Sequence, residues 1–229
     1  MTLRLLFHTR CLASVALVVL IAGCVTEPPE EPWQDVSSFA WPTDLGTTMR
    51  YKLVSKTFED DTAATAVIRP GAKEPDGHPW HRISQTSTVS PLEGAPDLQF
   101  HFRATRDTLF TENGYRLEHG LKATYALVAP LERGSSWIAS HDRSKNDSVR
   151  ATIIERYSYW KLEGVGYENV LAVKYEYLNQ PRRQEWIRFY AQGVGVVLTI
   201  MNVYPEVVNG TFAPPEEYDR ARLIETTAR

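Results

Sequence analysis

The chain has 229 residues, 25 of them basic and 28 acidic, a formal net charge of −3 and two cysteines. No basic stripe accompanies that balance, which excludes nucleic acid as a partner. Two cysteines cannot build a framework of disulfides, and an 11% share of aromatic residues suits β structure.

At the start, Arg4 and Arg10 give a positive n-region, and Leu12 to Ile21 form an apolar run of about ten residues. That run is well short of the roughly 20 residues of a membrane-spanning helix, so it reads as an export signal. It leads into Ile21-Ala22-Gly23-Cys24, which resembles the bacterial lipobox of an aliphatic residue, two small residues and cysteine. The resemblance implies a lipoprotein: cleavage between Gly23 and Cys24, diacylglycerol on the Cys24 thiol and acylation of the new amino terminus. One acyl chain binds a bilayer marginally, at about 0.8 kcal/mol per buried methylene, while two or three hold stably. Cys11 leaves with the signal and Cys24 becomes the lipid attachment. The mature chain then has no free thiol, which excludes disulfides, cysteine-ligated metals and a cysteine nucleophile. Cleavage removes two basic residues and no acidic one, leaving 23 basic against 28 acidic and a net charge of −5. Val25 is not the aspartate that such lipoproteins carry for inner-membrane retention. The implied address is the outer membrane of the cell envelope, facing the periplasm.

The next stretch, VTEPPEEPWQD from Val25 to Asp35, is rich in proline and glutamate. Proline favours extended polyproline II and the glutamates repel, so residues 24–40 are expected to form a tether. Residues 41–229 are then the globular domain, large enough for one good-sized core or two small ones.

Strands are expected at Arg50–Phe58, Thr62–Arg69 and His81–Thr88, then at LQFHFRAT, where Leu98, Phe100, Phe102 and Ala104 alternate with polar residues. Leu121–Val128 and Ser148–Tyr159 follow. LAVKYEYL repeats the alternation, with Leu171, Val173, Tyr175 and Tyr177 on one face. Arg183–Tyr190, Gly195–Val203 and Asp219–Thr227 complete the set. Short, regularly spaced strands without βαβ alternation give an all-β fold: an antiparallel sheet, a sandwich or an open barrel.

Pro42, Gly46 and Met49 recur in spacing as Pro130, Gly134 and Trp137. Proline stiffens the approach to a strand, glycine permits the bend and the large apolar residue plugs the sheet. The repeat could mark two similar halves, 41–128 and 129–229. In WIRFYAQGVGVV, Gly193 and Gly195 lead into valines and not into a helix, which disfavours a phosphate loop. A hairpin turning at Ala191–Gly193 is expected, with Gly195 a bulge or close-packing point. With PLERGSSW and GYENVLAVKYEY, this hairpin makes residues 129–204 resemble a group of β-rich bacterial envelope lipoproteins sharing a Tyr-Ala-x-Gly-Val-Gly hairpin. That resemblance implies an all-β envelope domain and supplies no catalytic residue.

The histidines expected in the mature chain are His78, His81, His101, His119 and His141, and Pro79 speaks against a helix presenting His78 and His81 together. No zinc-binding His-Glu-x-x-His pattern and no Gly-x-Ser-x-Gly elbow are present, and the acidic Glu59, Asp60 and Asp61 lack EF-hand spacing. No metal, cofactor or catalytic residue is assigned, and the enzyme class is left open, leaning to no. The sequence points to a membrane-anchored envelope lipoprotein that binds or assembles with an unknown envelope protein. The alternative is a carrier of a lipid or other apolar ligand in a curved sheet, with Phe100, Phe102, Tyr175 and Tyr177 as its lining.

Overall fold

Period-2 alternation dictates strands with one face to bury, and the computed structural model is built almost wholly from them. It describes residues 33–44, 47–55, 64–73, 81–87, 98–112, 123–142, 147–179, 184–204, 206–208, 211–212 and 216–227. A 3-10 turn at Val36–Phe39 comes first, followed by β1 (Thr48–Ser55), β2 (Ala64–Lys73), β3 (His81–Ser87), β4 (Leu98–Ala104), β5 (Thr108–Glu112) and β6 (Ala123–Val128). Then come β7 (Ser136–Asp142), β8 (Asp147–Leu162), β9 (Val165–Tyr177), β10 (Gln184–Ala191) and β11 (Gly195–Val203). The last are β12 (Glu206–Val208), β13 (Thr211–Phe212) and β14 (Glu216–Thr227).

Twelve strands form one antiparallel sheet in the order β6-β5-β4-β3-β2-β1-β14-β11-β10-β9-β8-β7, and β12 pairs with β13 as a separate ribbon. The chain therefore makes two successive meanders, β1–β6 and β7–β14, joined where β1 pairs with β14. Pro42 precedes β1, and Pro130 and Gly134 precede β7, while Met49 and Trp137 are each the second residue of their strand, Met49 fully buried and Trp137 partly so; Gly46 lies outside the described residues. The two stretches 41–128 and 129–229 lie in one continuous sheet.

The edge strands β6 and β7 are consecutive in the chain, and the sheet curls until they stand side by side. No ladder joins them among the described residues, so the sheet is curved but not a closed barrel. Trp137 Nε1 donates to the Tyr125 carbonyl at 2.7 Å across that seam. Curvature of this degree needs bulges, which bend a strand and increase its twist. They occur at Ala126, where Leu109 and Phe110 face Leu127 and Tyr125, and at Val197, where Phe189 and Tyr190 face Leu198 and Val196. A third lies at Ile224, where Arg50 and Tyr51 face Glu225 and Leu223.

The face lined by Met49, Tyr51, Ile83, Phe102, Leu109, Ile153, Val173 and Tyr175 is buried as one core. Each such side chain contributes about 1.5–3 kcal/mol when removed from water. On β9, Ala172 is buried along with Leu171 and Val173, so the strand is covered on both sides there. One tight turn joins the long β8–β9 pair. Glu163 (φ +46°) and Gly164 (φ +94°) are both left-handed, the requirement of a tight two-residue hairpin. Further along β9, Asn169 has φ +48°, a conformation asparagine tolerates better than most residues.

Candidate functional site

Two features stand out: a segment wedged into one end of the curled sheet, and a polar chain buried inside it.

Composition alone extends the tether to residue 40, but the structure takes Trp33–Ala40 into the globular unit. Asp35 caps the 3-10 turn, accepting from the Ser37 backbone N–H at 2.9 Å and from its hydroxyl at 2.6 Å. Val36 and Phe39 are fully buried. Backbone bonds fix the turn on both sides: Val36 N–H donates to the Arg106 carbonyl at 2.8 Å, and Gly193 N–H donates to the Ser38 carbonyl at 2.6 Å. Arg106 lies between β4 and β5 and Gly193 between β10 and β11, so the turn bridges two connections far apart in the sheet order. Trp41 continues the wedge, its ring 5.5 Å from that of Phe102 on β4 and close against Gly195 on β11. Trp33 stacks on Phe39 at 6.1 Å, and the Arg156 guanidinium sits 4.3 Å over the Trp33 ring. The expected hairpin is present with its turn one residue later, at residues 192–194 between the paired Ala191 and Gly195, and of the two roles expected for Gly195 the structure shows close packing, against Trp41.

Inside the sheet, Trp186, Arg188 and Tyr190 share a face of β10, opposite Tyr175, Val173 and Leu171 of β9. Tyr175 donates its hydroxyl proton to the Ala126 carbonyl at 2.5 Å. Ala126 is the bulge residue, skipped in the β5–β6 register. The Tyr190 hydroxyl lies 2.8 Å from that of Tyr175. Since Tyr175 has already given its only proton, Tyr190 is the donor there. Arg188 Nη1 donates in turn to the Tyr190 oxygen at 3.4 Å, and its guanidinium lies 4.9 Å from the centre of the Tyr175 ring. A cation at one end and a carbonyl at the other thus orient every proton in a buried chain. On the opposite face of β10, Glu185 accepts from Asn202 Nδ2 at 3.0 Å and from the Tyr204 hydroxyl at 2.9 Å. Burial pushes the Tyr51 phenol well above its ordinary value. A hydrogen bond with Trp41 partly offsets this, and the nearby Tyr167 adds to it. Tyr51 donates to the Val196 carbonyl at 2.6 Å.

Of the residues singled out from sequence, Gly23 and Cys24 lie outside the described residues, as do His78 and His119. Phe100 falls on β4, but its side chain is outside the described set. Phe102 is buried between Trp41 and His81. Tyr175 is buried in the polar chain, and Tyr177 packs edge-on against Trp186 at 5.2 Å. Phe102 and Tyr175 thus sit in the same core but engage different partners. His141 Nδ1 is 2.8 Å from the Ser148 hydroxyl on an exposed hairpin. Among the described residues, no three His, Cys, Asp or Glu side chains are grouped to hold a metal ion. Sequence reasoning missed Arg188 and Tyr190, although their alternation with Trp186 was a signal that they share its face.

No known protein family matches the sequence, and no curated protein matches it. Solved structures do. A Bacteroides fragilis protein named as exported and of YmcC-like fold superposes with a TM-score of 0.51 at 10% identity, covering 83% of this chain and 99% of its own. A protein of Parabacteroides distasonis named as a lipoprotein gives 0.45 at 12% identity, covering 82% of this chain and 97% of its own. The first likeness establishes a YmcC-like fold for the described sheet.

Proposed function

We propose that the protein is an envelope lipoprotein, held by acyl chains on Cys24, that acts by binding or assembly and not by catalysis. The observation that supports this most is the filled interior. The face that a carrier would hollow out is occupied by the chain's own groups, in the order Arg188, Tyr190, Tyr175 and the Ala126 carbonyl. Trp41 closes one end against Phe102. With the inside committed, the outside of the sheet is left for an envelope partner. The lipobox-like start agrees with the naming of the Bacteroides fragilis neighbour as exported, and Val25 favours the outer membrane.

The test is to express the full chain in a two-membrane bacterium fed an alkyne palmitate and to compare it with Cys24→Ser. Acylation of the wild type alone, with outer-membrane fractionation and a reproducible crosslinked protein partner, is the expected result. A soluble, unlabelled wild-type chain would overturn the anchoring. An additional mass extracted by organic solvent in native mass spectrometry would overturn the filled interior and restore the apolar-carrier alternative.

A further inference from the structure

The described structure starts at Trp33, and the residues between Cys24 and Trp33 are 25–32. Even fully extended, those eight residues reach at most about 29 Å. Any lipid on Cys24 therefore keeps the Trp33 end of the domain close to the bilayer. What lies beside Trp33 is the β8–β9 hairpin, because Arg156 of β8 covers its ring. Three residues further along β8, about 10 Å away, Tyr159 is 60% exposed, and across the turn Val165 is 50% exposed. Tyr159 lies over Gly166, where a Cβ would collide with its ring, so the glycine lets the ring rest across the hairpin. On the other face of the hairpin, which Val165 shares, Trp160 stacks on Phe189 at 4.6 Å and on Tyr157 at 6.3 Å, so the tip presents apolar surface on both sides. Tyrosine and tryptophan favour the headgroup level of a bilayer because their rings are apolar with one polar edge.

The geometry points to the β8–β9 hairpin tip, led by Tyr159 and Val165, as a surface that rests on the lipid bilayer beside the anchor. This rests on the lipoprotein reading. It adds that the domain is held against the membrane in one orientation, hairpin tip down, and does not swing on its tether. The other end of β9, where Leu178 is 39% exposed, then points away. Val165 and Leu178 are separated by about 40 Å of extended chain.

Because Cys11 leaves with the signal and an acylated Cys24 has no thiol, a single introduced cysteine can be labelled specifically. The lipidated chain, carrying Tyr159→Cys or Leu178→Cys with an environment-sensitive nitrobenzoxadiazole dye, is reconstituted into phosphatidylcholine vesicles with or without brominated acyl chains. Docking predicts a blue-shifted emission at position 159 that bromination reduces about twofold, as for a group about 5–10 Å into the interface. It predicts neither change at position 178. Val165→Cys provides a second reporter on the same tip. Equal emission and equal quenching at 159, 165 and 178, on chains whose mass shows acylated Cys24, overturns the docking surface and leaves the anchor intact. A chain with no acyl mass on Cys24 fails earlier and overturns the lipoprotein reading itself.

Discussion

A Cβ built on Gly195 would stand 3.2 Å from the Cα of Trp41. The glycine is there because another backbone passes against it, and its φ of +88° adds a second reason. Gly193, two residues away, has φ +72° but open space around it. The pair separates the two effects.

Gly193→Ala is expected to cost about 1–2 kcal/mol, the penalty of a left-handed backbone for a residue with a Cβ. Gly195→Ala carries that penalty and must also displace Trp41, so the larger loss is expected there. Urea unfolding of both variants checks the order, and an equal loss would show that Trp41 yields without cost.

The buried tyrosine chain makes a second prediction. Tyr175→Phe removes the donor to the Ala126 carbonyl and the acceptor for Tyr190, leaving buried polar groups without these bonds. A loss of about 1–3 kcal/mol is expected. Tyr177→Phe, on the same strand but only partly buried, is the comparison, and its loss is expected to be smaller than that of Tyr175→Phe.

The wedge makes a third. Trp41→Ala opens the contact between β4 and β11 and is expected to cost about 3–5 kcal/mol. Asp35→Ala removes only the cap of the 3-10 turn, for about 1 kcal/mol. Both are read by denaturant unfolding. A neutral Trp41→Ala would mean that Trp33–Trp41 lies on the sheet without bracing it.

Alkaline pH gives the fourth. Tyr51 is held by burial above its ordinary value of 10.0, and burial raises Tyr167 as well. Below pH 10 both states keep the phenol proton, so the shifts have no effect. Above it, the unfolded chain releases protons that the folded chain retains, and stability falls as pH rises. The slope is at most about 1.4 kcal/mol per pH unit for each such tyrosine. Tyr51→Phe is expected to flatten the decline between pH 10 and 12, measured by urea unfolding across that range.

The fold was legible where side chains alternate. Gly195–Val203 is a strand with the expected bounds, and the strand through LQFHFRAT ends within one residue of its expected limit. β5 was missed because Thr108–Glu112 is short and largely polar. The first half of β9 was missed because VGYENV does not alternate. The 3-10 turn was hidden by the prolines and glutamates before it, which made Val36 and Phe39 look like part of the tether. Alternation also cannot report the sheet order. That order depends on which faces meet after curling, and so the Tyr175–Ala126 bond joining residues 49 apart had no local signal. Arg188 was overlooked for a physical reason: a charged residue on a strand ordinarily faces water, and this one is buried with tyrosines around it.

A protein moored through its amino-terminal side receives mechanical load there, and the position of β1 determines how the load is resisted. Tension entering at Trp33 first meets the 3-10 turn, held by its two backbone bonds, and then runs along the axis of β1. That strand is in the interior of the sheet, paired with β14 on one side and β2 on the other. Force along its length loads both ladders in shear, so many hydrogen bonds must break together. The two strands next to the seam, β6 and β7, lie at the far ends of the sheet order from that load. Under the proposed anchor at Cys24, a pull on the amino-terminal end would be resisted as in a lap joint and not as in a zipper.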